Sequence, residues 1–154
     1  MKKMFFVLLL IFSTLNAENL KKSVFKLKKY DSLFRKYALK YNVPKKILVS
    51  LALTENRKAD PKAKRYNKNG TIDRGLMQIN SLWIKELPEL NLTAKKLQNP
   101  SISIKVAAYI LSKHIKRKGQ NWKAYGSYHS KTPSKRDRYI KRLQKSYFAV
   151  VVFY

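Results

Sequence analysis

The sequence predicts an all-α protein built as one domain, and three observations carry that expectation. Apolar residues recur every three or four positions through 22–41, at Leu27, Tyr30, Leu33, Phe34, Tyr37, Ala38 and Tyr41. A second helical run, Lys45 to Glu55, opens behind Pro44, whose missing N–H is harmless in a first turn. A third starts at Pro100 or Ser101 and runs to Lys118, with Ile102, Val106, Tyr109 and Ile110 on one face and Gly119 as its stop. Neither an internal repeat nor a low-complexity linker divides the chain, and sustained alternation is confined to its last residues.

Taken in order, the chain opens with a basic Met1-Lys2-Lys3, an apolar run from Met4 to Phe12, and Ser13-Thr14-Leu15-Asn16-Ala17. That pattern predicts a secretory signal over 1–17, cut after Ala17, since the run falls short of the roughly 20 apolar residues a bilayer span needs. A lipoprotein anchor would need a cysteine, and the chain has none. The expected location of the mature protein is therefore the periplasm. Residues 18–147 form the expected domain. After the helix ending at Glu55, Ala59-Asp60-Pro61 and Asn67-Lys68-Asn69-Gly70 are turn formers that send the chain back through Gly75-Leu76-Met77-Gln78-Ile79-Asn80.

Asn80 is placed to cap a short helix from Ser81 to Leu87, ended by Pro88, with Trp83 packed inward or lining a cleft. Thr93 is placed to cap a turn over 94–98, and Asn121 a helix through Trp122, Tyr125 and Tyr128. Lys131-Thr132-Pro133-Ser134 breaks the chain before a last helix, Ser134 to about Tyr147, carrying Tyr139, Ile140 and Leu143. Residues 148–154 are uncharged and β-prone, a hydrophobic tail that packs on the domain, docks on a partner or frays.

Charge and composition bound the function. There are 35 Lys plus Arg against 8 Asp plus Glu, a net +27, or +25 once Lys2 and Lys3 leave with the signal. Such a field attracts polyanions. The basic residues are spread along the chain and no nucleic-acid motif frames them, so anionic envelope surfaces are the expected partners and nucleic acid is not. With no cysteine and only His114 and His129, thiol chemistry and a three-histidine metal centre are excluded, and no phosphate-cradling loop exists among four glycines. Neither metal nor cofactor is expected. His129, between Ser127 and Ser130 and their neighbours, reads as a surface histidine rather than part of a triad.

The scarce carboxylates narrow the chemistry further. Glu55 stands eight residues after Ile47, seven after Leu48 and four after Leu51, so it shares their buried face at the end of the helix. Burial and the negative end of the helix dipole both disfavour its ionised form, which suits a general acid for glycosidic cleavage. A structural alternative pairs it with Arg57 or Arg74. Asp60 and Asp73 are its neighbours in sequence, but a turn explains the first and an ion pair the second, so a mechanism with one acid is favoured.

Glu55 behind a Pro-started helix, then Asp60-Pro61, then Gly75-Leu76-Met77-Gln78-Ile79-Asn80 resembles the core of the lytic transglycosylases, which share a lysozyme-like fold with goose-type lysozymes. Asn99-Pro100 with Ala107-Ala108-Tyr109-Ile110-Leu111 resembles the family's third element, and Ala124 to Tyr128-His129-Ser130 its fourth, so the likeness covers roughly 30–145. Two positions depart: Asn56 follows Glu55 where Ser is usual, and Ser127-Tyr128-His129-Ser130-Lys131 replaces Ala-Tyr-Asn-x-Gly. Asn56 retains hydrogen-bonding capacity; the second change removes a glycine.

The resemblance implies cleavage of peptidoglycan glycan strands between N-acetylmuramic acid and N-acetylglucosamine, with Glu55 as acid and then base and a 1,6-anhydro product. It implies that Gln78 hydrogen-bonds a sugar or its N-acetyl group, that Asn80 and Tyr109 line the cleft, and that Tyr128 lies near Glu55. The short chain and its Tyr-His-Ser ending are most similar to the small members that serve secretion, conjugation or pilus machines. A muramidase using water, and a catalytically silent cationic wall-binding or assembly protein, are the alternatives.

Overall fold

Every residue from Ile47 to Leu53 is buried, Ser50 included, so the helix Lys45–Glu55 (α3) is enclosed on all sides beyond its first turn and forms the axis around which the other elements pack. The computed structural model describes residues 17–154; the expected signal lies outside the described residues except for Ala17. Before α3 come helix α1, followed from residue 17 to 28, and α2, Asp31–Lys40. Behind it lie three strands, β1 (Lys64–Tyr66), β2 (Ile72–Arg74) and β3 (Ile79–Asn80), then α4 (Leu82–Glu86), two 3₁₀ turns, α5 (Pro100–Lys118), α6 (Trp122–Gly126) and α7 (Pro133–Phe153). No described helix is long and apolar enough to cross a membrane.

The all-α expectation holds in the main, with three corrections. The single helix expected over 22–41 is two, because the Tyr30 N–H turns back to the Leu27 carbonyl at 3.0 Å. That tight turn keeps Leu27, Phe34 and Tyr37 on the buried side, so the apolar period runs through the break. The last helix does not stop near Tyr147 but continues to Phe153. The segment set apart as a tail is thus a helix end, with Ala149 and Val150 in the core and Phe148, Val151 and Val152 exposed.

The third correction is a small antiparallel sheet in the order β1-β2-β3. Its strands are too short for a period of two to be visible. Register pairs Arg65 with Asp73 and Asp73 with Asn80, which sets three polar side chains in one row across the sheet.

Caps and ties then fix the ends. The Asn99 side chain accepts from the Ser101 and Ile102 N–H groups and opens α5, and Asn121 accepts from Ala124 N–H at 2.9 Å to open α6. Asn80 Oδ1 accepts from Leu82 N–H at the start of α4, as its position suggested. α7 packs along α3, where the Thr54 hydroxyl donates to Ser146 Oγ at 2.9 Å. Asp31 receives Lys45 Nζ at 2.7 Å and Arg35 at 3.2 Å, joining α2 to the first turn of α3.

Candidate active site

Because α3 ends where the sheet begins, its last residue faces the polar row. Glu55 closes α3 with its side chain 6% exposed, on the wall of a cleft of about 620 Å³. The row crosses the same cleft: Arg65 donates through Nε and Nη2 to Asp73 Oδ2 at 3.0 and 2.8 Å, and Asn80 Nδ2 donates to Asp73 Oδ1 at 2.7 Å. The same Arg65 Nη2 lies 3.6 Å from Glu55 Oε2. The cation beside Glu55 is therefore Arg65, not Arg57 or Arg74.

Burial dominates the electrostatics of Glu55 and holds its carboxyl above the usual carboxylate range. Tyr139, Arg65 and Arg142 oppose that shift, while the Asp73 charge adds to it. Tyr139 comes from α7, is fully buried, and its hydroxyl makes no well-formed hydrogen bond. Burial and the nearby Glu55 carboxyl raise its own pKa well above the ordinary tyrosine value. His129 stacks flat on the Tyr139 ring, with 4.6 Å between centroids, and its Nδ1 is 4.0 Å from Glu55 Oε1. Desolvation, then Arg142 and Arg65, lower the His129 pKa, so at neutral pH a neutral imidazole faces Glu55. His129 is exposed, in keeping with its reading as a surface histidine, and it stands on the wall of the cleft.

The loop opposite is pinned from several sides. A Cβ on Gly75, at φ +79°, would collide with the Leu97 carbonyl oxygen. Met77 N–H donates to the buried Ser103 hydroxyl at 3.1 Å, and the Tyr128 hydroxyl donates to the Met77 carbonyl at 3.0 Å. Asn56 Nδ2 donates to the Asp60 carbonyl at 2.7 Å and more weakly to that of Gly75, tying the end of α3 to this loop. The amide that stands where Ser is usual is therefore fully used as a structural clamp. In the fourth element, where a glycine is lost, Tyr128 and His129 are held by backbone bonds to Tyr125 and Gly126.

Of the expected sugar-binding residues, Gln78, Asn80 and Tyr128 line the cleft and Tyr109 does not. Gln78 adopts a left-handed backbone, φ +48°, and its amide nitrogen donates to Gly75 and Ala63 carbonyls at 2.9 and 3.3 Å. Asn80 spends its amide on Asp73 and Thr71, so it orients the row rather than offering free donors. Tyr109 packs edge-on against Tyr41 and donates to Glu89 at 2.9 Å, out of the cleft; its place amid Ala and Ile made packing the competing reading.

Sequence reasoning missed Arg65, Tyr139 and His114. His114 belongs to the buried stripe Ser103, Ala107, Ile110, Leu111 of α5, and a histidine at that spacing was the available signal. Burial, then Lys118 and Lys131, push its pKa down to about 4, so it lines the cleft as a neutral group.

The arrangement supplies one buried carboxyl whose pKa burial raises and a second carboxylate whose two oxygens are engaged by three donors. Comparison with known proteins shows the family. Residues 32–148 match the family described as Transglycosylase SLT domain. The chain is 38% identical over 112 residues to Invasion protein IagB of Salmonella typhimurium strain LT2, covering 70% of this chain and 69% of that one. It is 32% identical over 110 residues to Protein IpgF of Shigella flexneri, covering 70% and 72%. With a Peptidoglycan-binding-like protein of Escherichia coli O157:H7 it shares 30% identity over 124 residues, covering 73% and 74%.

Proposed function

Since the chain belongs to the Transglycosylase SLT family and carries its lysozyme-like, mostly α fold, we propose that it is a lytic transglycosylase that cleaves peptidoglycan glycan strands in the periplasm. The observation that carries this reading is the buried Glu55 carboxyl, kept above the usual carboxylate range on the wall of an open cleft. In the proposed cycle Glu55 gives its proton to the oxygen between N-acetylmuramic acid and N-acetylglucosamine, and the C1–O bond breaks. The resulting carboxylate takes the proton from the muramoyl C6 hydroxyl, whose oxygen bonds to C1 and closes a 1,6-anhydro ring. No water is consumed and Glu55 ends protonated, ready for the next bond. One group alternating as acid and base needs a pKa close to the working pH, which burial favours.

Asp73 bears on the alternative of hydrolysis. A second carboxylate acting on water or on the sugar works best unpaired, and Asp73 is tied into an ion pair with Arg65 and a hydrogen bond from Asn80 that fill three of its roughly four acceptor sites. Gln78 and Tyr128 are the proposed contacts to the sugars. The N-terminal signal pattern supports export, and relatives named invasion protein and peptidoglycan-binding-like protein support local wall opening for a secretion apparatus.

Mass spectrometry of muropeptides released from purified peptidoglycan tests the reaction. The expected products are anhydromuropeptides, lighter by one water than hydrolytic ones, and Glu55→Gln lowers their release by at least about a hundredfold. Reducing-end products would assign a muramidase, and an active Gln variant would remove Glu55 from the mechanism. Retained glycan binding without any product would assign a silent wall-binding protein.

A further inference from the structure

His129 has two faces. One is covered by the Tyr139 ring, with the Nδ1 edge toward Glu55, and the residue also lines a second cavity of about 270 Å³ with Lys135, Arg138 and Arg142, with no acidic side chain among them. Lys135, Arg138 and Arg142 are spaced by three and four residues, so they form one stripe on α7. Among the described residues none of the three makes an ion pair: Arg138 Nε reaches only the Ser134 carbonyl at 3.3 Å, and Arg142 lies over the Tyr139 ring at 5.3 Å. The first turn of α7 carries no acidic residue and no side-chain cap, so its dipole adds to the same positive potential. Elsewhere the acids of this chain do find cations: Asp31, Asp73 and Asp137 each hold an arginine.

His129 and Lys135 line this cavity and the main cleft together, so a strand lying along the cleft passes its edge. We propose that the second cavity is a subsite for the carboxylates of the peptide stem carried by the glycan strand. The inference rests on the glycan-cleaving reading of the main cleft and adds to it a preference for stem-bearing over bare glycan. A guanidinium fork matches a carboxylate with two parallel donors, and two arginines one turn apart accommodate the spaced carboxylates of a short peptide. These side chains are exposed, which leaves them adaptable and their interaction sensitive to salt.

The test is binding of a soluble disaccharide-tetrapeptide muropeptide and of the same disaccharide without its stem, titrated into the full chain by calorimetry. Arg138→Gln removes a cation that lines only the second cavity, and Lys141→Gln removes one charge from an exposed position of the same helix that lines neither cavity, as a control for the overall field. The expected result is that Arg138→Gln binds the stem-bearing ligand about tenfold more weakly, with binding of the stem-free disaccharide and the Lys141→Gln control unchanged. Equal weakening by Lys141→Gln, equal weakening for both ligands, or no weakening would each overturn the subsite. Because binding is measured without turnover, the two readings fail separately. Stem-dependent binding in a protein that releases no product would end the lyase reading alone, and anhydro products without stem preference would end the subsite alone.

Discussion

Arg65→Gln tests the polar row more sharply than any change to Glu55 itself. The substitution takes from Asp73 two charge-assisted hydrogen bonds, of 3.0 and 2.8 Å, and leaves it the Asn80 amide at 2.7 Å. Removing one partner of a fully buried ion pair costs about 3–5 kcal/mol, whereas an exposed pair contributes about 1 kcal/mol or less. Asp73 is buried but the Arg65 side chain is 48% exposed, so water enters the vacated position and restores part of the solvation. The expected loss lies between those limits, about 2 kcal/mol. In a domain of this size that lowers Tm by about 4–8 °C. Circular dichroism melts of wild type, Arg65→Gln, Asp73→Asn and the double variant measure it, and the double variant should lose less than the two singles combined, by about 1–2 kcal/mol. A wild-type Tm for Arg65→Gln, or strictly additive losses, would refute the bonded row. The pH profile gives an independent sign. Arg65 lowers the pKa of Glu55 and Asp73 raises it, so the alkaline fall in activity moves up in Arg65→Gln and down in Asp73→Asn.

Other substitutions report on separate features. Because burial raises the Glu55 pKa in the folded state, stability is highest below the ordinary value of 4.5 and is lost as pH rises through the folded value. Glu55→Gln should therefore melt higher than wild type at pH 8, with the gap closing at pH 4, and a gap of opposite sign would contradict the burial argument. Asp31 is the converse: Lys45 foremost holds its pKa down to about 2 from 3.8, so its stabilisation is full above 3.8 and lost as pH falls through about 2. Asp31→Asn should melt lower than wild type at neutral pH and match it below pH 2. Gly75→Ala meets both a left-handed φ and the Leu97 carbonyl, and should destabilise by about 3 kcal/mol in denaturant unfolding; a loss under about 1 kcal/mol would mean that the loop relaxes freely.

What the sequence disclosed follows the range of the interactions. The helix behind Pro44, the acid on its apolar face, the caps at Asn80 and Asn121 and the stop at Gly119 all rest on contacts within a few residues, and all stand in the structure. Arg65 was invisible because its meaning comes from cross-strand register, in strands too short to show alternation. Tyr139 was read only as an apolar position of the last helix; its place beside Glu55 depends on how α7 lies along α3, and no local pattern encodes that. Tyr109 shows the opposite error, a residue that the family resemblance assigns to the cleft and that is held elsewhere by Glu89, while its Ala and Ile neighbours point to packing.

The two sides of the cleft differ in how firmly they are held. Glu55 terminates the most enclosed helix of the molecule, whereas the three residues of β1 all face solvent and bring Arg65 to the site on a hairpin with little apolar burial of its own. Amide protons should accordingly exchange slowest in α3 and fastest in β1, although the two elements meet across a single charge contact. A local opening of the hairpin withdraws the guanidinium while leaving the carboxyl in place. The acid's position and the burial that raises its pKa are thereby set by the core, while the hairpin adds a smaller opposing charge that sequence changes there can adjust without moving the carboxyl.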